Sequence, residues 1–209
     1  MKKRKISFKL REEQIIKKAF KVFSRFGYRG STTKLLAMSA GINELTLFRY
    51  FGNKENLFKK VIEHHSFLAR IEELEPSLEH LDYKNALIAL AESFLDSLYR
   101  NKNLVRIMAM EAYTHPTYAR MIHKNLIQKV FRHFEDYLAH ISKLKRIRIL
   151  DHQVVTRAFF GMIYFYFITQ EFFLEREIKK FNHKHVIHEF VELFLKGTVK
   201  DGEWRQQHD

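Results

Sequence analysis

The sequence predicts an all-α protein: an N-terminal three-helix helix-turn-helix domain followed by a larger helical domain, about nine helices in all. Three observations carry this. Apolar residues recur at helical spacing through almost all of the 209 residues. Only 2 Pro and 7 Gly are present, too few to turn a many-stranded β chain. The charge is also segregated. Residues 1–60 hold 16 Lys/Arg against 4 Asp/Glu, and the rest of the chain holds 21 against 20. Nearly all of the net +13 therefore lies in one segment, where a concentrated positive field attracts a polyanion. The plainer alternative is a solvated surface that keeps the protein in solution.

Residues 1–7 read as a mobile basic arm. Lys2, Lys3, Arg4 and Lys5 suit phosphates or a minor groove, and equally suit a solubilising terminus. From Phe8 to Phe26 the spacing of Ile16, Ala19, Phe20, Phe23 and Phe26 marks one face of a helix, which Gly27 ends. Tyr28-Arg29-Gly30 links it to the most informative stretch, Ser31–Phe51. There, Ser31, Thr32 and Thr33 offer capping hydroxyls to a helix with Leu36 and Ala37 on its apolar face. Gly41 suits a sharp turn, and Asn43 caps a second helix. Leu47 and Phe51 lie on one side of that helix at i and i+4. Leu45, Thr46, Arg49 and Tyr50 fall on the other. Two short helices about a glycine turn, the second with a polar outer face, form a helix-turn-helix signal.

After Gly52, Asn53 caps a fourth helix from Lys54, with a stripe of Leu57, Phe58, Val61, Ile62, His65 and Leu68. It is expected to run to about Leu74 as a stiff connector, stopped by Pro76. Five further helices follow: Tyr83–Arg100, Leu104–Tyr113, a long one from Pro116 through Ile141, Asp151 to about Glu175, and His183–Lys196. The expected organisation is 1–53 for DNA binding, 54–75 as connecting helix, 76–200 for ligand binding and dimerisation, and 201–209 as a polar tail.

The segment Ile16–Val61 resembles the DNA-binding domain of the tetracycline-repressor-like (TetR) family. The matching pieces are Ala19, Phe23, Phe26-Gly27-Tyr28, Ser31-Thr32-Thr33, Leu36-Ala37, Ala40-Gly41-Ile42, Thr46-Leu47-Phe48, Tyr50-Phe51, Lys54-Glu55 and Leu57. The resemblance implies that Ser31, Thr32 and Lys34 meet phosphates at the start of the second helix. It implies that Asn43, Glu44, Leu45, Thr46 and Arg49 face bases or phosphates, and that Tyr50 and Lys54 anchor on the backbone. A helix N-terminus does offer free N–H groups to a phosphate, and Arg can bind guanine bidentately. Glu44 suits either a cytosine amine or simply a helix N-terminus. Two positions depart from the family pattern. Phe48 stands where Tyr is common, and Leu45 replaces a usually small residue. Leu45 suits thymine methyls, or is an ordinary exposed leucine.

Farther on, RAFFGMIYFYFITQEFFLE, residues 157–175, is apolar almost all round, so it is buried on more than one side. The resemblance implies that Asp151–Glu175 and His183–Lys196 form a four-helix dimer bundle, with Phe160, Phe167, Phe172, Ile187, Phe190 and Phe194 at the interface. It also implies a ligand pocket among helices 83–175. Phe94, Met108, Met110, Tyr113, Phe134, Tyr164 and Phe165 would suit an apolar pocket, and would equally serve as plain core.

The implied partners are a palindromic double-stranded DNA operator, a second copy of the chain, and a small hydrophobic effector that releases a repressor. A competing reading keeps the fold on DNA as an architectural or adaptor protein without a ligand. No cofactor, metal or enzyme activity is assigned. There is no Cys, so thiolate chemistry and Cys-ligated zinc are excluded. His183, His185 and His188 lack a carboxylate placed to complete a ligand set. No phosphate loop or nucleophile elbow occurs. The longest uncharged run, Ala158–Gln170, falls well short of the ~18 residues of a membrane span. No signal peptide is read at the start, so a bacterial cytoplasmic location is expected.

Overall fold

Residues 2–144, 147–148, 150–173 and 175–199 are described by a computed structural model, with only the backbone at 2–7, 175 and 176. The expected polar tail at 201–209 lies outside the described residues. The helices are α1 Lys2–Gly30, α2 Thr33–Ser39, α3 Glu44–Phe51, α4 Lys54–His65, α5 Phe67–Leu78 and α6 Tyr83–Arg100. They continue with α7 Lys102–Thr114, α8 Pro116–Ile122, a π turn His123–Ile127, α9 Gln128–Lys143, α10 His152–Phe172, the single turn α11 Glu175–Ile178 and α12 His183–Thr198. Among the described residues there is no strand, only one isolated bridge between Ile147 and Val199.

The nine expected helices are all present, with three differences. First, the expected N-terminal arm is helical: α1 begins at Lys2. The Gly27 backbone, at φ 70°, ends its regular part as expected. Second, the connecting helix breaks. Ser66 is extended, at ψ 174°, and its hydroxyl accepts the Leu68 N–H, so it caps the start of α5. Pro76 does not end α5, which runs on to Leu78. Proline removes a single backbone donor there, at an exposed position, and Leu78 is buried beyond it. Third, the long helix from Pro116 contains the π turn between α8 and α9.

The chain divides into two compact units. The first comprises residues 1–69 and 101–127. Its core gathers Ile15, Ala19 and Phe23 of α1, Leu36 and Ala37 of α2, Leu47 and Phe51 of α3, and Leu57, Phe58, Val61 and Ile62 of α4. Leu104 of α7 and Met121 and Ile122 of α8 complete it. Phe23 meets Phe58 edge-on, with ring centroids 4.8 Å apart. The helix-turn-helix is thus braced by α7 and α8 as well as by α1 and α4.

The second unit comprises residues 70–100 and 128–209. Its centre is an aromatic cluster. Phe134 of α9 stacks on Phe159 of α10 at 4.7 Å, and Phe159 meets Phe194 of α12 at 5.0 Å. Phe160 takes Phe94 of α6 at 4.9 Å. Buried Tyr83 donates its hydroxyl to Thr198 at 3.2 Å, and burial pushes that phenol up to about 12. Lys84 and Glu192 pair at 2.6 Å.

Candidate nucleic-acid interface

The helix-turn-helix geometry follows from local capping. Thr32 accepts the Leu35 N–H at the start of α2, and Asn43 accepts the Thr46 N–H at 2.8 Å at the start of α3. Gly41 adopts φ 65° in the turn and Gly52 φ 76° after α3, conformations that a Cβ disfavours. Leu47 and Phe51 are buried, which fixes the rotation of α3 about its axis. The same rotation leaves Leu45 79 % exposed and Arg49 exposed. Thr32 and Lys34 are exposed at the start of α2, Asn43 is exposed before α3, and Thr46 is half-buried. These side chains form an outward surface in the most basic part of the chain. Phe48, 41 % exposed, adds an apolar ring there.

Four of the expected DNA-contact residues are already engaged within the first unit. Ser31 is fully buried, and its hydroxyl donates to the Gly27 carbonyl at 2.6 Å, so it is not free to meet a phosphate. Glu44 accepts the Thr33 hydroxyl, tying α3 to α2. Lys54 donates from Nζ to the Tyr28 carbonyl at 3.1 Å and lies 4.3 Å above the Tyr28 ring. Burial pulls its pKa down, against the charge of Glu111. Glu111 of α7 also accepts the Tyr28 N–H at 3.2 Å. The Tyr28 phenol is pushed up by burial and by its neighbour Tyr118. Tyr50 stacks on Phe8 of α1, with centroids 4.3 Å apart and planes 13° apart. Phe8, Glu111 and Tyr118 were missed in the sequence because their partners lie tens of residues away.

The residues expected at a ligand pocket do not come together. Met108, Met110 and Tyr113 belong to the first unit, and Phe94, Phe134, Tyr164 and Phe165 to the second. Tyr113 is 92 % exposed, Met110 60 % and Phe165 69 %, and Tyr164 is also exposed, so none of these lines an interior cavity. Met108 packs on the core of the first unit. Phe134 is sealed in the aromatic cluster, and Phe94 packs on Phe160. They are core because apolar rings at helical spacing bury against one another first.

The expected dimer residues need a similar correction. Phe160, Phe167, Ile187 and Phe194 are buried inside their own chain. Phe190 is half-buried beside Tyr166, and Phe172 is half-buried against Phe167. The outward face of α10 instead carries Val154, Ala158, Gly161 and Phe165, with Ile168 and Phe172 half-buried in the same row. Leu193 is exposed on α12. In the His cluster, His183 is hydrogen-bonded to the Tyr166 hydroxyl at 2.8 Å. Among the described residues no three His or acidic side chains converge on a possible metal position. Among the same residues, no helix is long and apolar enough to cross a membrane.

A capped two-helix hairpin with a buried Leu47/Phe51 edge and an exposed basic face defines a helix-turn-helix DNA-binding protein. Residues 15–61 match the family model of bacterial regulatory proteins, tetR family, and residues 85–197 match the AefR-like transcriptional repressor C-terminal domain. The chain belongs to the TetR family and is a transcriptional regulator, not an enzyme. It is 27 % identical over 197 residues to the uncharacterized HTH-type transcriptional regulator YvkB of Bacillus subtilis, covering 90 % of this chain and 97 % of that one. It is 32 % identical over 108 residues to the HTH-type transcriptional repressor NicS of Pseudomonas putida, about half of each chain. Among solved structures, the transcriptional regulator FadR of Bacillus subtilis, in complex with stearoyl-CoA, superposes with a TM-score of 0.72. That match has 21 % identity and covers 88 % of this chain and 98 % of that one.

Proposed function

We propose that the protein is a homodimeric, cytoplasmic repressor that binds a palindromic DNA operator and is released from it by a small apolar effector. The observation that carries the DNA part is the rotation of α3. Burying Leu47 and Phe51 turns Leu45 and Arg49 outward, where a major groove can receive them. Thr32, Lys34, Asn43, Thr46 and Tyr50 are proposed to flank them on phosphates and base edges. DNA geometry favours two copies, because two recognition helices ~34–36 Å apart meet successive major grooves. The outward row of α10 with Leu193 of α12 is the proposed contact between copies. The repressor reading is supported by the match to the AefR-like repressor C-terminal domain. The stearoyl-CoA bound by FadR, a protein of the same fold, shows that this architecture accommodates an amphipathic ligand. Ligand and operator then oppose each other by linkage, each lowering the affinity for the other.

Selection from a random duplex library, followed by competition against unselected duplex at fixed salt, tests this. The expected product is an inverted repeat with half-sites about 10 bp apart. Arg49→Ala should weaken binding to the selected duplex by about 1–3 kcal/mol and relax preference at one position per half-site. Selected duplexes that compete no better than unselected ones would sink the specific-regulator reading.

A further inference from the structure

The basic start of the chain is not absorbed by the recognition helix, and one contact links the two. Phe8 of α1 is 46 % exposed, yet its ring lies 4.3 Å from that of Tyr50 at 13°. Tyr50 follows Arg49 on α3, so the stack seats the first turns of α1 beside the outward face of the recognition helix. An offset aromatic pair of this kind contributes about 0.5–1.5 kcal/mol beyond its buried area, enough to set the position of an otherwise exposed helix start. Since α1 is helical from Lys2, the residues sharing a face with Phe8 follow from helical spacing. They are Arg4 at i−4, Lys5 at i−3 and Arg11 at i+3. Arg4 lies about 6 Å along the axis from Phe8. The four residues 2–5 are all cationic, and an acidic residue first occurs at Glu12.

We propose that the first turns of α1 are a second DNA-contacting element, seated beside the recognition helix by the Phe8–Tyr50 stack, with Arg4 and Lys5 on the phosphates of double-stranded DNA. It rests on the reading that α3 enters a major groove. The charge complements a polyanion. The element is sequence-independent in its chemistry, so it sets affinity and register while α3 reads bases. Phe8 acts here as a positioning residue: it touches Tyr50, not DNA.

Fluorescence anisotropy with a labelled random-sequence duplex across a salt series tests the proposal, because each phosphate neutralised contributes about 0.9 to the slope of log K against log salt. The double variant Arg4→Ala/Lys5→Ala should lower the slope by about 2 per protomer. The double variant Lys179→Ala/Lys180→Ala removes the same charge from exposed positions in the second unit and should leave the slope unchanged. Phe8→Ala should reproduce a large part of the slope loss, and Phe8→Tyr, which keeps the ring, should restore it. A slope unchanged by the Arg4/Lys5 substitutions overturns the proposal. So does tighter binding by Phe8→Ala, since the stack would then be a cover over Tyr50. If the unaltered protein shows no salt-dependent binding to duplex, the DNA reading itself fails. Loss of Arg49-dependent specificity with the Arg4/Lys5 effect intact would count against the recognition helix alone.

Discussion

Lys54 carries its charge in the most basic part of the chain, yet its ammonium is spent on the Tyr28 carbonyl and ring, not held out to solvent. Ser31 does the same with its hydroxyl, which closes onto Gly27. In both cases the chain's own turn at residues 27–30 is the partner. A buried carbonyl left without a donor costs more than an exposed charge gains from a distant phosphate. Lys54→Ala should therefore destabilise the folded protein by about 1 kcal/mol, the sum of a partly exposed charged hydrogen bond and a cation–π contact. Urea unfolding measures the loss. The salt slope of duplex binding should stay within a few tenths of its original value, and a drop near 0.9 would return Lys54 to the phosphate backbone. Leu45 is the opposite case. Its exposure was legible, because Leu47 and Phe51 two and six positions on must be inside.

Helices α1 and α4 are joined through a histidine. His65 stacks on Phe20 with centroids 4.0 Å apart, and its Nε2 is buried without a hydrogen-bond partner. Burial, with smaller contributions from the charges of His64 and Lys17, lowers its pKa from 6.5 to about 4. The folded state therefore holds the ring neutral, and the unfolded chain takes up the proton first. The contribution to stability is complete above pH ~6.5 and is lost progressively as pH falls toward about 4. His65→Phe keeps a ring against Phe20 and removes the titration. Its urea midpoint should change less between pH 7 and pH 5 than that of the unaltered protein. An equal change in both proteins would show that His65 does not titrate with folding. At this scale the caps were legible: Thr32, Asn43, Asn53 and Asp151 all accept N–H groups of their own helices, because capping needs only three or four consecutive residues. The break at Ser66 was not, since serine is tolerated inside a helix and only its neighbours decide whether it caps.

Across the whole molecule, an apolar row on α10 lies exposed. Val154, Ala158, Gly161 and Phe165 recur at helical spacing on the outward face, and a Cβ added at Gly161 would meet nothing within 4 Å. A glycine inside a helix costs about 1 kcal/mol relative to alanine, which a close approach by another helix can offset. Phe165→Glu should convert a dimer to a monomer in size-exclusion chromatography with light scattering, at unchanged helical circular dichroism. Affinity for a two-half-site duplex should fall, while non-specific binding by each protomer persists. A dimer that survives the substitution would place the interface elsewhere. Phe160→Ala, by contrast, removes a core ring and should cost about 3–5 kcal/mol of stability.

By itself the sequence determined what is periodic and local: the helical class, the caps, the glycine turns and the rotation of α3. Each is fixed by residues within one or two turns of one another. The charge segregation and the motif pieces also pointed to DNA without any coordinates. Only the tertiary structure decided which apolar face of α10 is core and which is free, because a helix apolar all round gives no internal sign of its two sides. It alone decided that Lys54 and Ser31 are engaged within their own unit, that α7 and α8 pack with the helix-turn-helix, and that Phe8 meets Tyr50. Those pairings join residues far apart in the chain, and packing, not periodicity, selects among the partners that each side chain can have.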